Sequence, residues 1–446
     1  MFDFLKIPSP IASIPTEKVD KEYTNLRWQV FFGIFIGYAG YYLVRKNFSI
    51  AMPDLIAKGF SKTELGFALS GVSIAYGISK FVMGSISDKS NARVFLSLGL
   101  FFSGSITIFM GISNWATSSI HVMFCLLLLN GWFQGMGWPP SGRVMVHWFS
   151  QQERGQKMSI WNIAHNVGGG LIGVLATLGL YLFSDWHSLF YFPGMVAILI
   201  SILSLITVRD NPESCGLPAI EDYKNDFTNP YQTHVAENHS TKEIFFTYIF
   251  NNKLLWMIAF ANAFVYLIRY GVLDWSPTYL EEVKHYTLSE SGWAYFAYEY
   301  AGIPGTLLCG WLSDKVFKGK RSPAIIMYMF FVLIGLVIYW QNPPGRIWVD
   351  QFALAFIGFF IYGPVMLIGL FAIDIVPKNA AGTSAGLTGL FGYLGGAVFA
   401  NIVMGMVLDK WQWNGGFIVL ISACIISILI AIPTWRHESK IIKSFQ

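Results

Sequence analysis

Twelve apolar stretches, each long enough to cross a bilayer at about 20 residues, dominate the chain. They lie near 26–50, 61–87, 93–113, 119–147, 157–183, 188–208, 254–280, 289–313, 322–340, 348–374, 379–408 and 414–435. The composition agrees: 54% of the residues are hydrophobic and only 13% charged, against about a quarter charged in a soluble domain. The chain is read as an all-α polytopic membrane protein. One long polar interruption, 209–253, divides the spans six and six. The expected organisation is two six-helix halves, 26–208 and 254–435, a central loop, and terminal segments at 1–25 and 436–446.

Lysine and arginine in the short loops set orientation. Loops expected on the side of the N-terminus hold Lys89, Arg93, Arg154, Lys157, Lys315, Lys318, Lys320 and Arg321; the other side holds Lys58, Lys62, Lys284, Arg346 and Lys410. Both termini and the central loop are therefore expected in the cytoplasm. The first 25 residues lack the apolar core and cleavage site of a signal peptide and read as a cytosolic lead-in.

The halves repeat. GSISDK at 84–89 returns as GWLSDK at 310–315, YLVR at 42–45 as YLIR at 266–269, and Trp138-Pro139-Pro140 is answered by Tyr362-Gly363-Pro364. Duplicated halves build many secondary transporters, with the substrate site between them near the membrane midplane. The repeat also matches two cations inside spans, Arg45 and Arg269. An unpaired cation at the bilayer centre costs about 2.5–3.5 kcal/mol on insertion scales, so each needs a partner or a purpose. Counted from Trp28, Arg45 lies about 25 Å along its span; counted from Leu254, Arg269 lies about 22 Å along. Both should share a depth somewhat past the midplane. A lone arginine there could snorkel to the interface, but matched placement argues for a shared task. Two planar guanidiniums across a repeat interface suit a dianion with equivalent oxygens, because arginine makes bidentate, charge-assisted bonds to phosphate. The expected ligand is phosphate or a phosphate ester.

The same counting places further polar residues. Lys80 and His165 each sit about 12 Å above the cytoplasmic end of their spans, with Asn162 one turn below His165 on the same face. They would line the approach to the arginines, where a titrating histidine could assist anion capture. Tyr38, Tyr42 and Arg45 share one face of the first span, Tyr266 and Arg269 one of the seventh, and Tyr76 and Lys80 one of the second. Lys46 points about 100° from Arg45 and could pair with Asp274 across the halves, a bridge that would close the outer side. Glu299, about 22 Å above Asp314, is expected level with the arginines, as their counter-ion when empty or as a proton site.

Other chemistry is excluded. The glycine-rich runs HNVGGG at 165–170 and GLTGLFGYLGG at 386–396 follow no strand and lack a Gly-Lys-Ser/Thr ending, so they are not nucleotide loops. Small residues there let helices approach and slide. Cys125, Cys215, Cys309 and Cys424 show no metal spacing or disulfide framework. The sequence calls for no cofactor, metal or nucleic-acid partner, and no enzyme chemistry.

The residues also carry a family resemblance. GYAGYYLVRKNFSIAMPDL, GVSIAYGISKFVMGSISDKSNARVFL, GWFQGMGWPPSGR, WNIAHNVGGG, YLIRYGVLDWSPTYL and GYLGG together resemble the organophosphate:inorganic phosphate antiporters of the major facilitator superfamily, over nearly the whole chain. The turns Gly84-x-x-x-Asp88 and Gly310-x-x-x-Asp314 are similar to the superfamily's signature loops. The resemblance implies twelve transmembrane helices as two pseudo-symmetric six-helix bundles in the cell inner membrane. It implies exchange of external glycerol 3-phosphate for internal inorganic phosphate by alternating access, and a monomer is the default for this fold. By motif, Arg45 and Arg269 would bind the phosphoryl group, and His165, Asn162 and Lys80 would assist capture. Tyr38, Tyr42, Tyr76, Tyr266, Trp138, Tyr362 and Tyr393 would line the cavity. Gly40 and Ser141 stand where the family pattern has Ala and Cys, and neither removes a charge. Hexose-phosphate relatives carry an Asp–Lys pair within the eleventh span; here 379–408 holds no charge before Asp409, which favours the smaller ester.

Two rival readings use the same residues. A proton-coupled organic-anion transporter would use Glu299 or Asp274 as proton carrier and need no internal phosphate. A transporter-like receptor would sense the phosphate ester without moving it.

Overall fold

A helix satisfies its backbone hydrogen bonds within itself, which is why lipid selects it. The computed structural model describes residues 5–87, 89–225, 246, 249–376 and 381–444, and all the regular structure among them is helical. The first half holds α1 (Thr16–Leu43), α2 (Asn47–Ala57), α3 (Lys62–Ser87), α4 (Ala92–Ile112), α5 (Ile120–Gln134), α6 (Trp138–Trp148), α7 (Gln151–Asn162), α8 (Ala164–Phe183) and α9 (Ser188–Thr207); a short α10 (Ile220–Lys224) follows. The second half holds α11 (Lys253–Glu282), α12 (Leu288–Trp311), α13 (Ser322–Gln341), α14 (Ile347–Asp374), α15 (Ala381–Leu390), a π-helical stretch Phe391–Ala397, and α16 (Val398–Ser444). Gln412, at φ 55° and ψ −162°, turns α16 into two helices. With α1–α2, α5–α6, α7–α8 and α15–α16 broken or bent within their runs, the described residues form twelve membrane-length segments.

Eight stretches are long and apolar enough to cross a membrane, and one of them, Ser384–Glu438, contains the turn at Gln412 and so two segments. The segments left out, 16–57, 62–87 and 288–316, are those that carry Arg45 and Lys46, Lys80, and Glu299. The protein is a multi-pass membrane protein, and its buried charges sit both on these less apolar segments and, as Arg269 and Asp274, on the apolar α11.

The first span is not the continuous helix expected over 26–50. Helix α1 stops at Leu43, Val44 and Lys46 leave helical geometry (φ −118° and −116°), and α2 begins at Asn47. A break within a bilayer frees carbonyls that must find donors. Two amides on α5 supply them: Gln134 Nε2 donates to Tyr41 O and Asn130 Nδ2 to Val44 O, each at 2.9 Å. Ser103 ties the amides together, donating to Asn130 and accepting from Gln134 Nε2. In the second half α11 runs through Arg269 without a break.

The N-terminal segment lies along the start of the central loop. Ile11 N donates to Glu213 O at 3.1 Å, Ile14 N to Gly216 O at 3.0 Å, and Tyr23 stacks on Tyr223 with centroids 3.9 Å apart. This is the terminal side. On the far side the halves meet closely. Helix α8 lies so near α12 that a Cβ on Gly173 would sit 2.6 Å from Gly292 O. One buried apolar cluster runs from Leu65, Leu69 and Tyr76 to Val272, Trp275 and Ala400. Toward the terminal side, a Cβ on Gly84, Gly386 or Gly389 would meet nothing within 4 Å.

Candidate functional site

Arg45 lies in the break between α1 and α2, and Arg269 in mid-α11; they are 5% and 6% exposed. Tyrosine rings surround both. Arg45 Cζ is 3.9 Å from the centroid of Tyr76, 5.1 Å from Tyr42 and 6.0 Å from Tyr393. Arg269 Cζ is 4.5 Å from Tyr362, 5.3 Å from Tyr270 and 5.8 Å from Tyr266. Tyr393, on the π-helical stretch, joins the two sets, 4.8 Å from Tyr76 and 5.3 Å from Tyr266. Ring faces attract a cation but leave its charge in place. Among the described residues no carboxylate lies within ion-pair distance of either guanidinium, and Arg269 Nε has no hydrogen-bond partner. Two buried cations thus face one aromatic chamber without a direct counter-ion.

Glu299, expected as that counter-ion, makes no direct ion pair with either arginine and lies one hydroxyl away from Arg269. Its carboxylate accepts from Tyr362 Oη at 2.6 Å and from Asn166 Nδ2 at 3.2 Å, while the same amide also donates to Glu299 O at 3.0 Å. Among the described residues Arg269 Nη2 reaches only the Tyr362 hydroxyl, at 3.4 Å. Tyr362 therefore stands between base and acid. Lys46 instead forms an ion pair with Asp274, both buried, and its Nζ lies 4.2 Å from the Tyr270 centroid. Ser49 Oγ adds a bond to Asp274 at 3.3 Å.

His165, near the start of α8, sits between the halves, its ring 5.6 Å from Tyr42 and 5.8 Å from Tyr362, with Nδ1 against Asn162 O. The Asn162 side chain is exposed. Tyr38 forms a second row, 5.6 Å from Tyr42 and stacked on Trp161 at 4.6 Å. Lys80 is half-buried, its Nζ 5.2 Å from the centroid of Trp138, which is 38% exposed. These two lie toward the terminal side and form no hydrogen bond or ring contact with either arginine. The signature loops lie apart from the chamber. Asp314 pairs with Arg321, which also bonds Asp374 at 3.0 Å; Gly84 and Gly310 are uncrowded, and Asp88 lies outside the described residues.

Four residues of this architecture escape a reading by motif. Tyr270, beside Arg269, contacts both Arg269 and Lys46. Asn166 ties the halves through Glu299, and Asn130 and Gln134 hold the break before Arg45. The detectable signal was two carboxamides four residues apart inside an apolar span.

A profile of the Major Facilitator Superfamily matches residues 34–400. The glycerol-3-phosphate transporter of Bacillus subtilis (strain 168) is 57% identical over 436 residues, covering 98% of this chain and 98% of that protein. The glycerol-3-phosphate transporter of Haemophilus influenzae is 50% identical over 474 residues, covering 99% and 98%. Among solved structures, a bacterial homolog of the human lysosomal transporter Spinster, inward-facing and unoccupied, has a TM-score of 0.76 at 15% identity, covering 94% of this chain and 98% of that one.

Proposed function

The chain belongs to the Major Facilitator Superfamily and, within it, to the family of those glycerol-3-phosphate transporters; from that premise we propose that it imports glycerol 3-phosphate in exchange for internal inorganic phosphate. It is a transporter and not an enzyme. The observation that carries the reading is the pair of buried guanidiniums, Arg45 and Arg269, in a tyrosine chamber with no carboxylate in ion-pair distance among the described residues. A buried charge without a partner is costly, and an arriving phosphoryl group relieves that cost at both arginines with bidentate bonds. Phosphate and its monoesters share those oxygens, so one site serves both directions of exchange.

In this reading Tyr42, Tyr76, Tyr266, Tyr362 and Tyr393 shape the chamber and offer hydroxyls, with Tyr38 behind them. Lys80, His165, Asn162 and Trp138 line the approach from the terminal side, and a histidine among cations favours anion capture. The termini and central loop lie in the cytoplasm of a cell whose inner membrane holds the protein, working as a monomer. The Lys46–Asp274 pair closes the far side and parts when the two halves rock to expose the chamber outward, which is alternating access. Phosphate binding must then differ between the two states, since a ligand shifts an equilibrium only by its differential affinity.

The test is uptake of labelled glycerol 3-phosphate into proteoliposomes with and without internal phosphate, using wild type and Arg45→Lys. Lysine keeps the charge and loses the planar fork, and the expected loss is at least tenfold. Uptake indifferent to internal phosphate but driven by a pH gradient would overturn the antiport. An active Arg45→Lys would remove Arg45 from the site.

A further inference from the structure

On the far side, the amino terminus of α3 and the end of the helix before Gln412 meet in an arrangement the transport reading does not use. A helix start leaves four backbone N–H groups without intrahelical partners. At α3 a capping box serves the outer two: Ser61 N donates to Glu64 Oε2 at 2.9 Å, and Glu64 N to Ser61 Oγ at 3.2 Å. Leu65 N reaches back to Ser61 O at 3.1 Å. The N–H groups of Lys62 and Thr63 remain, and both go to one carboxylate from the opposite half. Asp409 accepts from Lys62 N at 3.1 Å and from Thr63 N at 2.7 Å.

The rest of the interface is built for that contact. Gly405, one turn before Asp409, lies so close that a Cβ would sit 2.5 Å from Lys62 O, and a Cβ on Gly66 would collide with Asn401 O in the same way. The Lys62 side chain crosses to Glu282 at 3.0 Å, and Trp413 Nε1 donates to the same Glu282 oxygen at 3.0 Å. One carboxylate thus takes two amides at the positive end of a helix, and a second holds the lysine of the same turn.

We infer that Asp409, with Glu282, is a positioning residue that latches the far side shut and sets the fraction of carriers facing the terminal side. Both amides return to water when the halves part there, so the bond exists in one conformation only. That is the condition for biasing a two-state equilibrium. The inference rests on alternating access but not on the identity of the ester.

The experiment is pulsed dipolar spectroscopy of the full chain in nanodiscs without substrate. Spin labels go on Tyr181→Cys and Trp348→Cys, far-side positions 82% and 83% exposed, in a Cys125→Ser background. Asp409→Ala should lower the ratio of far-side-closed to far-side-open molecules by about tenfold, and Asp409→Glu should restore it. Lys62→Pro is a second variant, because proline suits the first helical position while deleting one amide and the lysine; it should shift the ratio the same way. In exchange assays Asp409→Ala should lower the half-saturating concentration on the far side and raise it on the terminal side, a split that mere loss of folded protein would not produce. Wild-type distance distributions in both Asp409→Ala and Lys62→Pro would overturn the latch. A wild-type distance that never changes, with or without glycerol 3-phosphate, would instead overturn alternating access.

Discussion

Asn130 donates its side-chain amide to the carbonyl oxygen of Val44 at 2.9 Å, one residue before Arg45. The guanidinium is thus aimed by a helix end that another helix holds in place. Asn130→Leu leaves that carbonyl and the Ser103 hydroxyl short of a partner, at about 1–3 kcal/mol for each unsatisfied group. The expected result is a rise of about tenfold in half-saturating phosphate, equivalent to about 1.4 kcal/mol, with folded protein still recovered. Phosphate-binding calorimetry in detergent checks it, and an unchanged affinity would show that Arg45 needs no such support.

Tyr362 is placed to keep Glu299 away from Arg269. In Tyr362→Phe the carboxylate loses its 2.6 Å donor and is free to neutralise the arginine, competing with phosphate. Affinity should fall by about tenfold, while Tyr362→Phe combined with Glu299→Gln should recover most of it. Such recovery is a coupling energy, read from the double-mutant cycle. Two losses that simply add would deny the competition.

Asp274→Asn leaves Lys46, 7% exposed, without its charge partner. Breaking a buried pair costs about 3–5 kcal/mol, so steady exchange should collapse even though neither residue is one of the two guanidiniums. The swap of Lys46→Asp with Asp274→Lys should restore part of the rate if pairing is what matters. A swap no better than Asp274→Asn would assign the loss to local packing around Tyr270.

Gly173 and Gly292 set the distance between α8 and α12. A Gly173→Val side chain would begin 2.6 Å from the carbonyl oxygen of Gly292, and backbone cannot yield as a side chain would. Hydrogen exchange across 288–292 should quicken and exchange activity should fall, with phosphate binding in detergent little altered. Wild-type protection in the variant would mean that the helices can slide past the methyl groups.

Much of this arrangement was legible in the amino-acid order. Twelve apolar runs and the repeated YL[VI]R and Gly-x-x-x-Asp-Lys units required two helical halves, and the depth of Arg45 and Arg269 required a chamber for them. Composition and spacing report which residues share a helix face, because a helix has one period. They do not report where a helix stops within an apolar run. The break at 44–46 therefore leaves no local trace, since its causes, Asn130 and Gln134, lie about ninety residues away and act only once α5 is beside α1. The place of Glu299 was similarly hidden. Depth along a span put it level with the arginines, but the Tyr362 hydroxyl and the Asn166 amide that hold it come from two other helices, one of them in the opposite half.

The unequal mounting of the two arginines makes the carrier a clamp with one sprung jaw. Arg269 is fixed to an unbroken rod, so its position follows its bundle as a whole. Arg45 rides on a short non-helical joint, so its position is set by the α5 amides that hold that joint as well as by the bundle behind it. Cargoes of different girth should therefore be accommodated by the first jaw alone, and changes in substrate range should be sought among the residues that stiffen that joint rather than among those that touch the cargo.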